Sequence, residues 1–186
     1  MVLFLGLFAL VQLIAFSFIY AAQLASAQAQ INAAFEVGAG VFNKLIEERS
    51  TRLIQQARLL SSDYAFKVAY ATEETETILS ALQNHQMRIN ADIMILVSLE
   101  AQVMAYTLDP AGHGRPFDHP RLLEAAENSP NGTAAGIVFI GDRAHQMIIV
   151  PLMVPQPDAW IVIGFLLDDR FAAEIQKLTL SHVSLL

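Results

Sequence analysis

His113, Asp118 and His119 fall within one short stretch of the chain. Imidazole and carboxylate are zinc ligands, so a metal reading has to be weighed. A zinc site takes three or four ligands from a rigid frame. This stretch is broken by Pro110, Gly112, Gly114 and Pro116, and so reads as a polar surface loop without a metal. Glu73, Glu74 and Glu76 could be acid/base carboxylates, but acids at the head of a helix suit its dipole, and a solvated helix start is the simpler reading. No G-x-S-x-G elbow, H-E-x-x-H helix or phosphate-binding glycine loop occurs, so no catalysis and no cofactor are expected of this segment. Asn131-Gly132-Thr133 fits a glycosylation sequon and equally a turn; it is read as a turn. The absence of cysteine removes disulfides, thiolate metal sites and a cysteine nucleophile. It also suits an oxidising compartment.

Binding is the more plausible chemistry. Pockets are mostly apolar, with a few polar groups that orient the ligand. The side chains able to serve are Tyr70, Arg88, Tyr106, His113, Arg115 and His145. Arg88 stands just ahead of an apolar run, where its guanidinium could pair with a ligand carboxylate or phosphate. Each of the six has an alternative as a surface residue or a satisfied core partner.

The elements that must position them can be read from composition and period. Of 186 residues, 54% are hydrophobic and only 16% charged, against roughly 25% charged in ordinary soluble domains. Net charge is −7, and the 11 basic residues do not cluster. Nucleic-acid binding, which needs a basic footprint, is therefore not expected. Residues 1–22 carry no charge, and only Gln12 and Ser17 interrupt the apolar run. About 20 such residues span a bilayer as a helix, so 1–24 is expected to be a transmembrane anchor. The alternative is a cleaved signal peptide, with Ala25-Ser26-Ala27 as the cleavage site. Against it, the run exceeds the roughly 7–15 residues of a signal core, and no basic residue precedes it.

Residues 28–60 show apolar positions at mostly three, four and seven, a helical stripe that includes Leu45, Ile46, Leu53, Ile54, Ala57 and Leu60. This long helix is expected to be a stalk whose stripe covers its own domain or a partner stalk. Helices follow over 64–71 and from Thr72 to about Arg88 or Asn90. A hairpin is expected from 92–97 and 103–107, then a loop over 109–119. A helix with proline in its first turn covers 120–128. Strands 133–140, 144–154 and 158–167 close the series, and a last helix begins at Asp169. Five antiparallel strands with helices on one side make an α+β domain. The last three strands are apolar on both faces, so both faces need cover. The stalk helix is expected to supply one cover, and the 109–119 loop with the 120–128 helix the other.

The chain resembles the Cache-type (PAS-like) periplasmic sensor domains that precede GGDEF and EAL domains in bacterial transmembrane signalling proteins. The matching stretches are Ala57-Arg58-Leu59-Leu60-Ser61-Ser62-Asp63-Tyr64-Ala65-Phe66-Lys67, Arg88-Ile89-Asn90-Ala91-Asp92, and Val150-Pro151-Leu152-Met153-Val154-Pro155-Gln156-Pro157-Asp158-Ala159-Trp160 with Gly164-Phe165. The resemblance implies a transmembrane anchor over 1–24, a stalk over 25–60 and a single Cache sensor domain over 61–178. Residues 179–186 would begin the link to a second span. It implies a domain on the periplasmic side of the inner membrane, an unknown small-molecule ligand and a homodimer. The signal would pass through the terminal helices to a cytoplasmic output, with cyclic-di-GMP turnover as the expected one. The alternative is a secreted or membrane-tethered binding or dimerisation module without output.

Overall fold

The computed structural model describes the backbone of residues 2–169, 171 and 173. Within residues 2–35 it describes the side chains of Gln12, Phe16, Tyr20 and Gln23 only. The chain divides into two compact units, Met1–Leu45 and Ile46–Leu186. The first helix, α1 (Val2–Ser61), contains no proline and ends where the Ser61 and Ser62 hydroxyls donate to the Arg58 carbonyl. Most side chains on which the anchor expectation for 1–24 rests lie outside the described residues. Among the described residues no helix is long and apolar enough to cross a membrane.

Asp63 starts α2 (Tyr64–Tyr70) by accepting the Phe66 N–H at 3.1 Å. The next helix, α3 (Thr75–Ile89), begins later than the expected Thr72. Residues 71–73 instead close the end of α2: the amides of Ala71 and Glu73 donate to the carbonyls of Lys67 and Tyr70, and Glu73 takes φ 58°. Glu74 becomes the N-cap, and only Glu76 lies in the first turn. Asn90, in the left-handed region, ends α3, and the Ala91 amide closes back on Gln86.

The sheet has the order β2-β1-β5-β4-β3, all antiparallel, from β1 (Ile93–Ser98), β2 (Val103–Tyr106), β3 (Ala134–Ile140), β4 (Arg143–Met153) and β5 (Pro157–Leu166). Helix α4 (Pro120–Glu127) carries its proline in the first turn, as expected. Buried residues run almost unbroken along the middle of β4 and β5, because each face has its own cover. On one face Met94, Leu96, Ile148, Ile161 and Ile163 pack with Ala57 and Leu60 of α1, Phe66 of α2, and Ile78 and Leu82 of α3. On the other, Ile93, Ile95, Met147, Ile149 and Val162 pack with Phe117 of the loop and with Leu123 and Ala126 of α4. Helices thus lie on both faces of the sheet, and the described domain is α+β.

Asp92 accepts the Leu166 amide at 2.7 Å, and its carbonyl accepts from the Gln86 side chain. The β2 edge is covered by the loop: the Val103 amide donates to the Arg115 carbonyl, and those of Gly114 and Phe117 to the carbonyls of Val103 and Ala101. After β5 the backbone is helical at Asp169, Phe171 and Ala173, with Asp168 accepting the Phe171 amide. The rest of the expected 169–178 helix, and residues 179–186, lie outside the described residues.

Candidate functional site

Strands pleat their side chains to alternate faces, and a long loop can roof one face. Here Ile95 of β1, Val103 and Tyr106 of β2 and Met147 of β4 form a floor. Arg115, Phe117, Asp118 and His119 of the loop form the roof, and Phe139 and Ile140 close one side. The cavity measures about 210 Å³. Phe117 and His119 meet edge to face at 5.7 Å.

One guanidinium organises the mouth. Arg115 Nη2 lies 3.5 Å from Asp109 Oδ2 and 3.7 Å from Asp118 Oδ2, while its Cζ sits 5.4 Å from the Tyr106 ring centroid. Its Nε is buried without an acceptor among the described residues. Gly112 permits this arrangement, since a Cβ there would stand 3.0 Å from Arg115 Nε and 2.9 Å from Asp109 Cγ. Burial pushes the Tyr106 phenol up from its ordinary pKa, which keeps it neutral.

Of the six residues singled out from the sequence, the fold brings Tyr106 and Arg115 together in this cavity. His113 is exposed on the same loop and outside the lining. His145 is buried on β4 with Nδ1 2.9 Å from the Arg143 carbonyl, the tautomer with a proton there donating to it. Tyr70 and Arg88 belong to α2 and α3, which pack on the other face. The Tyr70 hydroxyl donates to Asp158 at 2.6 Å, and burial, reinforced by that contact, raises its pKa. Arg88 is exposed, 3.9 Å from Asp63. Sequence reasoning missed Phe117, Met147 and the paired role of Asp109 and Asp118. The charge pattern Asp109–Arg115–Asp118 was the available signal. Among the described residues no group of His and acidic side chains could hold a metal.

A wider groove of about 580 Å³ lies between α2 and α3, lined by Asp63, Glu76, Asn84, His85 and Arg88 among others. It contacts no strand, and its centre is a structural contact. His85 is buried with its ring edge-on to Phe66 at 5.6 Å. Burial lowers the His85 pKa, with Arg88 adding to this and Asp63 opposing it. A histidine held neutral in the fold but free to protonate when unfolded contributes stability above its unfolded value near 6.5. That contribution is lost as pH falls below that value. Asp63, whose pKa is lowered chiefly by the Phe66 amide, loses its contribution only below about 3.8. Urea melts at pH 7.5 and pH 5.5 should therefore show a lower midpoint in acid. His85→Leu should remove much of that difference, and an unchanged slope in the variant would refute the assignment.

The cavity and the first helix meet back to back at β4. Met147 lines the cavity, and its neighbour Gln146, fully buried, points to the opposite face. Gln146 Nε2 donates to Ser50 Oγ at 2.7 Å and to the Ile46 carbonyl at 3.2 Å, both on α1. Next to these, Arg49 places its Cζ 4.7 Å from the Phe171 ring centroid and 6.0 Å from that of Phe165.

Several solved structures share this architecture. The domain of a sensory box/GGDEF family protein from Vibrio parahaemolyticus superposes with TM-score 0.52 at 9% identity, over 67% of this chain and 56% of that one. The extracellular domain of a histidine kinase gives 0.53 at 10%, over 77% and 60%. The periplasmic domain of Vibrio cholerae LuxQ gives 0.53 at 11%, over 76% and 69%. The chain thus spans less than two thirds of the first two. No family model and no curated protein sequence matches it. The likeness, at 9–11% identity, is one of fold.

Proposed function

We propose that this chain is the extracytoplasmic signal-input module of a membrane receptor, with its ligand site in the cavity under the 109–119 loop. The observation that carries the reading is the adjacency on β4 of Met147, in the cavity, and Gln146, hydrogen-bonded to α1. A ligand that prefers one position of the strand shifts the population of both. The shift reaches α1 through Gln146, and the segment that starts at Asp168 through Arg49, Phe165 and Phe171. Tyr106 and Arg115 are the ligand-facing residues among those the sequence suggested.

In this reading residues 1–24 hold the chain in the inner membrane, 25–60 form the stalk, and 61–178 form the sensor domain on the periplasmic side. The apolar run of 1–22 supports the anchor. The exposed Val37 and Leu59 of α1 support a second copy beside the stalk. The output is a cytoplasmic domain outside this sequence, with cyclic-di-GMP turnover favoured by the likeness to the GGDEF-associated sensory domain.

Deuterium exchange tests the coupling. Met147→Phe, which fills part of the cavity, should change protection at residues 46–50 on the far face. Adding Gln146→Leu should abolish that change while the loop response persists. A Met147→Phe effect confined to the loop and α4 would sink the mechanism. A full chain that is strictly monomeric in detergent would count against the dimer.

A further inference from the structure

Resting on the ligand-site reading above, we infer that the cavity selects a small organic cation, such as a quaternary ammonium. The carboxylates of Asp109 and Asp118 share a single guanidinium, Arg115, so the mouth carries one uncompensated negative charge. Among the described residues no second Lys or Arg lines the cavity. An anion entering would find the Arg115 Nε–H, yet it would have to stand beside two carboxylates and take their partner from them. A cation meets Asp118 and the aromatic side chains of Phe117 and Phe139, and aromatic ring faces attract positive charge; the Tyr106 ring is already taken by Arg115. The chain's net charge of −7 adds long-range attraction of the same sign. A cavity near 210 Å³, below the usual range of roughly 300–1,000 Å³ for ligand pockets, limits the guest to a compact group.

The test is titration of the full chain in detergent with choline, with the uncharged tert-butyl analogue of choline, and with a dicarboxylate. Calorimetry and the methyl signal of Met147 provide the readouts. Choline should bind with a Kd about tenfold below that of the uncharged analogue, the difference a single partly exposed charge and an aromatic wall support. Asp118→Asn should erase most of that advantage and leave the analogue unchanged; Asp118 is exposed, and its loss spares the core. Equal binding of choline and its analogue, or tighter binding of the dicarboxylate with a Met147 response, would overturn the cation assignment and leave the pocket standing. No Met147 response to any of the three would overturn both.

Discussion

Phe66→Ala should lower the stability of the domain by about 3–5 kcal/mol, among the largest effects of any single truncation here. Phe66 is 1% exposed, although the helix that carries it has only seven residues. A helix that short has little stability of its own and persists through its side-chain packing. Phe66 packs in the core with Leu60, Ile78 and Leu82, and it holds the buried His85 edge-on. Removing the ring leaves a cavity where α1, α2 and α3 converge on the sheet, and it admits water to His85. Urea denaturation measures the loss directly. A change below about 1 kcal/mol would mean that α2 collapses onto the gap, and that its packing matters far less than its burial indicates.

Gly164→Val should cost about 3 kcal/mol, the upper part of the usual range for overpacking, and should disturb the cavity as well. Gly164 lies near the end of β5, flanked by Ile93 of β1 and Met147 of β4. A Cβ there would stand 3.0 Å from Ile93 Cβ and 2.9 Å from Met147 Sδ. The Ile93 atom is fixed to a central strand and cannot swing aside. The thioether can, but its movement carries Met147 into the ligand cavity. The variant should therefore combine a lower denaturation midpoint with an altered Met147 methyl signal. A midpoint within about 0.5 kcal/mol of the parent, the usual span of a harmless surface change, would show that the two strands separate more easily than their register implies.

The strands were legible because each apolar run is bounded by a local breaker. Ala101 at φ 61° and Gly141 at φ 58° make the turns that the intervening residues promised. The need for two covers also followed from residues alone, since Trp160 to Phe165 offers no polar face. The start of α3 was misplaced because three acids look alike in sequence. Only the hydrogen bonds of residues 71–73 decide that Glu73 turns the chain and Glu74 caps it. The site was half legible. Tyr106 and Arg115 are close in sequence, one at the end of β2 and the other on the loop that follows it. Met147 joins them through the pairing of β1 with β5 and of β5 with β4, a register that no local pattern reveals. His145 and Gln146 illustrate the same limit. They are neighbours of opposite face, and nothing in the residues told which of them would meet α1.

The loop that roofs the cavity also seals the exposed rim of β2, through the amides of Val103, Gly114 and Phe117. An open strand rim is a template for another chain. Anything that binds under the loop and steadies it therefore also makes that rim harder to uncover, by the mass-action rule for ligands of the closed form. Occupancy then has a consequence for the protein's lifetime in a crowded compartment. The loaded domain should resist clumping during expression, storage and warming, and the empty one should be the first to be lost.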